Sequence, residues 1–343
     1  MTGLYRVMPP IAPDYGGACE VLYELGGLVL IHDASGCTVN YVHFDEPRFG
    51  EMLSNVFCSG LTEIEAVMGD DEIVIGKAVK AAEMLKPAFI AFIGSSVPMV
   101  VGTDFKGIAR LCEDRTGVPC FGFDTNGLRY YTDGASKAML AVIKRFCEKR
   151  EAETEEKNDA INLLGLIPMN YGTLAETSKV KALFKNVRSS LGFDTVLSDV
   201  RKMAGASKNV VVSAAGLASA EYMKKEYGIP YEVGVPYTRE FFEGSEVCDA
   251  FALDRKDRIL VIGEGVDASS LAGAIGGAAS LDMFSKYPGA TYRTRDEAEI
   301  AEIGQGFDVI IADPGLKALF KQKTFLSRPT VSVSGGTDPN KKF

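Results

Sequence analysis

Seven short apolar runs recur along the chain: "GGLVLIHD", "AFIAFIGSS", "GVPCFGFD", "INLLGLIP", "NVVVSAAG", "RILVIGEG" and "FDVIIADP". Each holds a few Val, Ile, Leu or Phe residues and closes on Gly, Pro or Asp, which is how a strand buried on both faces reads. The segments between them carry helical patterning suited to crossover connections, so the predicted class is α/β with parallel sheets. Two breaks divide the chain. The charged stretch "EKREAETEEKNDA", residues 148–160, reads as a helix end plus a solvated linker, and a second charged turn precedes a new strand in "VCDAFALDRKDRI", residues 247–259. Three Rossmann-like units are expected, over 1–155, 156–250 and 251–330, followed by a frayed polar tail over 331–343.

Charge narrows the function. A net charge of -9 disfavours a nucleic-acid surface, because phosphate binding needs a basic face. The N-terminal "MTGLYRVMPPIAPDYGG" lacks the layout of a signal peptide, and no segment approaches the ~20 apolar residues of a membrane helix. The expected location is cytoplasmic, where the seven cysteines are thiols or ligands rather than disulfides. No CxxC occurs, which disfavours a zinc ribbon or a thioredoxin motif.

The cysteines are then sorted by position. Cys37 follows "LVLI", and Cys120 in "GVPCFGFD" is read as lying just beyond the carboxyl end of a strand, where a parallel sheet presents chemistry. Cys58 in "NVFCSGLTE" occupies a comparable strand-to-loop point. Cys19 follows "DYGGA" at an expected helix start, where the helix dipole favours a thiolate. Cys112 and Cys147 lie in helical patterns and read as packing residues, and Cys248 is left unassigned. With two histidines in the whole chain, a site rich in thiolates is favoured over one rich in imidazoles, and iron–sulfur clusters take such ligands. His32 with Asp33 forms a candidate proton-transfer pair, with His43 nearby. The turn "VIGEGVDASSLAGAIGG" lacks G-x-G-x-x-G spacing and no P-loop occurs, so a dehydrogenase is kept only as a competitor, and without a G-x-S-x-G elbow nucleophilic hydrolysis is disfavoured.

Taken in order, these pieces resemble the component 1 family of nitrogenase and its relatives. "LIHDASGC" resembles that family's His-Gly-x-x-Gly-Cys loop, whose cysteine ligates an iron–sulfur cluster. "CSGLTEIEAVMGDDE" resembles the segment that follows, "IGSSVPMVVGTDF" the strand and loop where the family reads Cys-Pro-x-x-x-Ile-Gly-Asp-Asp, and "GVPCFGFDTNG" a strand with a further cluster cysteine. "VVVSAAGLASAEYMKKEYGIPYEVGVPY" resembles the middle domain, and "ILVIGEGVDASSLAGAI" with "FDVIIADP" the last. The resemblance implies a homodimer in which Cys37 and Cys120 of each protomer hold one 4Fe-4S cluster across a twofold axis. Cys19 and Cys58 are candidate further ligands, which leaves open a larger cluster, and Gly36, Ser95 and Ser96 would line the cofactor. It also implies a partner, an ATP-hydrolysing iron–sulfur protein similar to nitrogenase reductase, and a small-molecule substrate, unsaturated or tetrapyrrole, in a cleft between the units. His32, Asp33 and Glu63 are the candidate proton donors. The middle segment lacks the cysteine, and the last unit the histidine, that hold the nitrogenase active-site cofactor, so dinitrogen reduction is not expected. The chain looks closer to the reductive cyclase of nickel-tetrapyrrole synthesis and to dark-operative protochlorophyllide reductase. The alternative role is a non-catalytic scaffold for metallocluster or tetrapyrrole assembly.

Overall fold

All seven apolar runs are strands of parallel sheets in the computed structural model, which describes residues 5–53, 55–149, 159–285 and 287–334. The first sheet holds β1 (Leu28–His32), β2 (Val56–Cys58), β3 (Ile90–Gly94) and β4 (Cys120–Phe123) in the order β2-β1-β3-β4. β1 and β3 lie in its middle and are buried at every residue, which is why they read as unbroken apolar runs. The second sheet is β5 (Ile161–Leu164), β6 (Val187–Leu191), β7 (Lys208–Val211) and β8 (Tyr231–Val233), ordered β6-β5-β7-β8. The third is β9 (Ile259–Gly263), β10 (Ala279–Asp282), β11 (Tyr292–Arg293), β12 (Val309–Ala312) and β13 (Thr324–Ser327), ordered β11-β10-β9-β12-β13.

Seven helices surround the first sheet: α1 (Asp14–Leu22), α2 (Gly36–Asn40), α3 (Glu63–Met68), α4 (Asp71–Leu85), α5 (Ser96–Val101), α6 (Phe105–Thr116) and α7 (Tyr131–Phe146). α3 starts on a capping box, in which Thr62 accepts from the Glu65 N–H and the Glu65 carboxylate accepts from the Thr62 N–H. It stops at Gly69, whose φ of 62° places it in the left-handed region. α1 and α7 touch backbone to backbone: a Cβ at Gly17 would stand 1.9 Å from the Tyr131 carbonyl oxygen, and one at Gly134 would stand 1.7 Å from that of Asp14.

The three sheets share one core. Val29, Ile31, Ala91 and Ile93 of the first join Leu164 and Val211 of the second and Leu260, Ile262 and Ile310 of the third. The C-terminal segment enters it too, correcting the expected frayed tail at its start. Val331 and Val333 are buried, Val331 N–H donates to the Tyr171 carbonyl, and the Ser332 carbonyl accepts from Ala12 N–H. Most of the charged stretch at 148–160 and the tail beyond 334 lie outside the described residues. No described helix is long and apolar enough to cross a membrane.

Candidate metal centre

The carboxyl edge of the first sheet is organised around Asp33, the residue after β1. Its Oδ2 accepts from the N–H groups of Cys37 (2.9 Å) and Thr38 (3.3 Å), pinning the first turn of α2. Its carbonyl accepts from Leu61 N–H at 2.8 Å and from the Cys58 thiol at 3.2 Å. Its own N–H donates to Ser59 Oγ at 3.2 Å. From β3, Ser95 Oγ donates to the His32 carbonyl at 2.8 Å and lies 3.4 Å from Asp33 Oδ1. One buried carboxylate and its backbone thus tie the loops after β1, β2 and β3 into a single rim.

Cys37 sits half-buried on that rim. Burial pushes its thiol up and the Asp33 charge adds to this, while the Tyr15 hydroxyl, the Ser96 N–H and the Ser95 side chain, all facing the sulfur, act in the opposite direction. Cys37 is therefore a thiol at neutral pH, and a metal must displace its proton. Cys58, also half-buried, shares the rim, with Gly60 N–H donating to its sulfur at 3.3 Å. His32 is buried with Nδ1 2.9 Å from Ser59 Oγ, and desolvation holds its pKa below the usual imidazole range, so the ring is neutral. Gly36 and Ser96 are exposed on the rim and Ser95 is buried beneath it. Glu63 is exposed in the first turn of α3, where Glu65 takes the capping role and pairs with Lys77.

Two expected ligands lie elsewhere. Cys120 opens β4 rather than closing it: it pairs with Ile90 at the amino edge of the sheet, four residues and about 13 Å of strand from the rim. There its thiol donates to the Val118 carbonyl at 3.2 Å and is hydrogen-bonded with Cys112. Cys19 is not at a helix start but the sixth residue of α1, fully buried, where desolvation and then the neighbouring Glu46 charge push its thiol far up. At that depth in α1 it lies beyond the first turn, out of range of the positive end of the helix dipole. Sequence reasoning missed Tyr15 and Ser59. Ser59 had only its adjacency to Cys58 as a signal, and Tyr15 had none.

The glycine turn after β9 serves the fold. Glu264 caps the helix Gly265–Ile275, Oε2 accepting from Val266 and Asp267 N–H at 3.1 Å, and Oε1 accepts from Ala214 N–H at 2.8 Å, joining the second and third sheets. The carboxylate stands where a bound phosphate would accept those bonds. Burial, with Asp282 nearby, pushes its pKa up to about 8.

Two thiols on one rim match half of a four-thiolate set, the chemistry an iron–sulfur cluster requires. Among the described residues, no group of three or more His, Cys, Asp or Glu side chains is placed to hold a metal ion within one chain. Apolar side chains surround the rim in the open: Val39 on α2, Ile64, Val67 and Met68 on α3, Val97 and Val100 on α5, and Leu128 after β4. Ile64, Val67 and Val100 are each more than three-quarters exposed (76%, 78% and 77%).

Residues 15–245, about two-thirds of the chain, match the family model described as nitrogenase component 1 type oxidoreductase. Over 231 residues the chain is 25% identical to the nitrogenase iron-molybdenum cofactor biosynthesis protein NifE of Methanococcus maripaludis, a match covering 63% of this chain and 46% of that protein. Over 97 residues it is 30% identical to the light-independent protochlorophyllide reductase subunit N of Cyanophora paradoxa, covering 28% of this chain and 21% of that one. Nitrogenase Cp1, in a structure at pH 6.5, has the same fold, with a TM-score of 0.61 at 18% identity over 83% of this chain and 64% of its own. The chain spans about half the length of the NifE relatives it matches. By its sequence match and its three parallel sheets, the chain belongs to the nitrogenase component 1 type oxidoreductase family.

Proposed function

We propose that this chain is the cluster-bearing, catalytic component of a nitrogenase-like two-component reductase. The observation that carries the reading is the pairing of Cys37 and Cys58 on one rim, bracketing Asp33, inside an exposed apolar face. Two copies joined through that face bring four thiolates together, enough for one 4Fe-4S cluster. Cys58 takes the place first expected for Cys120.

A cluster held there by Cys37 and Cys58 of the two copies would supply one-electron storage and transfer. The chain's own groups set its surroundings. Asp33 fixes the turn that aims Cys37, and the Tyr15 hydroxyl, the Ser96 N–H and the Ser95 side chain are the polar groups at its sulfur. Neutral His32 is bonded to Ser59 just under the rim, and Ser59 in turn accepts from the N–H of Asp33, whose carbonyl accepts from Cys58, so His32 is a proton-holding group linked to the rim by hydrogen bonds. A partner ATP-hydrolysing iron–sulfur protein would deliver electrons, and an unsaturated small molecule would receive them. The likeness to protochlorophyllide reductase subunit N supports that direction.

Assembly of a metallocluster is the second reading, favoured by the longer stretch shared with NifE. Mixing the anaerobic protein with a reductase component and ATP separates the two. Catalytic use predicts a reduced-cluster EPR signal that appears only with ATP and decays when substrate is added. A scaffold predicts release of bound metal to an acceptor with no turnover, and that outcome would overturn the catalytic role.

A further inference from the structure

At the carboxyl edge of the third sheet, β10 ends on Asp282 and β11 pairs with it, Leu281 against Tyr292 and Asp282 against Arg293. This register sets Arg293, Thr294 and Arg295 beside Asp282 and Met283, and the five line a cavity of about 340 Å³. Two guanidinium groups therefore stand at the end of a parallel sheet, the place where open α/β folds take ligands, around a space of small-molecule size.

Their bonding is incomplete. Arg295 lies 4.4 Å over the ring of Tyr130 and donates to the Phe284 carbonyl, yet its buried Nε–H has no partner among the described residues. The side chain of Arg293 is exposed and makes no hydrogen bond or ion pair among the described residues. The one acid in the lining is already engaged. Asp282 Oδ1 accepts from Phe284 and Ser285 N–H at 2.9 and 3.0 Å, and Oδ2 accepts from Ser285 Oγ at 2.8 Å and Tyr287 N–H at 2.5 Å. Its acceptor capacity is spent on the chain, so the arginines are left as donors without an anion. Leaving a buried N–H unpaired is costly, and an oxyanion in a guanidinium fork repays that cost with charge-assisted bonds.

We propose that this cavity binds the oxyanion end, a carboxylate or a phosphate, of a small molecule. Tyr130, under Arg295, belongs to the loop after β4, in which a Cβ at Gly127 would stand 2.8 Å from Ser96 Oγ and 3.5 Å from the Tyr15 ring. The anion site and the Cys37 rim thus lie against the two ends of one loop, at Tyr130 and at Gly127. Taking the bound molecule as the one that is reduced rests on the function proposed above; the anion site itself does not.

Isothermal titration of the purified protein with inorganic phosphate and, separately, with succinate tests the site. At least one should bind saturably, with affinity lowered about tenfold or more by Arg293→Gln. Arg295→Lys keeps the charge but removes Nε and should also weaken binding. Arg255→Gln, at an exposed arginine paired with Asp257, should change nothing. Binding of phosphate alone assigns a phosphate-bearing ligand, and of succinate alone a carboxylate. No saturable binding of either anion, or equal binding by wild type and Arg293→Gln, overturns the proposal. Iron is assayed in the same samples: iron without anion binding rejects this site and keeps the cluster, whereas anion binding without iron does the reverse.

Discussion

Asp33 has two separable effects on Cys37. Its carboxylate holds the Cys37 and Thr38 N–H groups, and its charge raises the thiol pKa. Asp33→Asn keeps an acceptor oxygen and removes the charge, so the alkylation of Cys37 followed by peptide mass spectrometry should titrate at lower pH than in wild type. An unchanged or higher midpoint would show that the charge does not act on the sulfur. Asp33→Ala strands two N–H groups as well and should cost about 1–3 kcal/mol in urea denaturation. Glu264 offers a test with the opposite leaning. Its folded pKa of about 8 lies above the ordinary carboxylate value, so between the two the folded state binds the extra proton and stability falls as pH rises through that window. Glu264→Gln should remove that part of the slope, gaining on wild type at pH above 8 relative to pH 5. At this scale the position of His32, Asp33, Cys37, Ser95 and Ser96 at the carboxyl edge of the first sheet was legible, because a strand ending in small and polar residues announces that edge. Cys120 was misread because an apolar run containing a cysteine does not say which end of the strand the cysteine occupies.

Elements follow the same logic of burial. Strands lying between two neighbours read clearly where every residue, or all but one, is buried, as in β1, β3, β5, β7, β9 and β12. Five of the six sheet edges did not: β2 (VFC), β6 (VRSSL), β8 (YEV), β11 (YR) and β13 (TFLS) are short or mixed because one side meets solvent or a loop, whereas the sixth, β4 (CFGF), still reads as an apolar run. β10 (ASLD) is interior yet polar, since Ser280 and Asp282 bond to the loops beside it. The α1–α7 contact was likewise invisible, because helix pairing through glycine leaves no periodic mark. It is demanding all the same. Gly17→Ala or Gly134→Ala puts a methyl group onto a facing carbonyl and should destabilise the fold by about 3 kcal/mol or more, at the upper end of overpacking costs, measured as the shift in the urea midpoint. A shift within about 0.5 kcal/mol would mean that the helices separate freely.

Across the whole molecule, the three sheets share one core while the rim of the first carries an apolar face. If that face joins two copies, paired charges on it should keep the fold and break the dimer. Val67→Glu with Val100→Glu is expected to give a monomer by light scattering with an unchanged circular dichroism spectrum, and to lose iron with the interface. A dimer that persists would place the interface elsewhere. The family and its three-sheet architecture could be read from ordered motifs, whereas the ligand set depended on which strand end each cysteine occupies. The most direct measurement is iron and sulfide quantitation on the anaerobically purified protein beside its cysteine variants. The account predicts about four irons per dimer, almost none in Cys37→Ser or Cys58→Ser, and wild-type iron in Cys120→Ser. Iron that survives in Cys37→Ser, or that is lost in Cys120→Ser but not in Cys58→Ser, would contradict it.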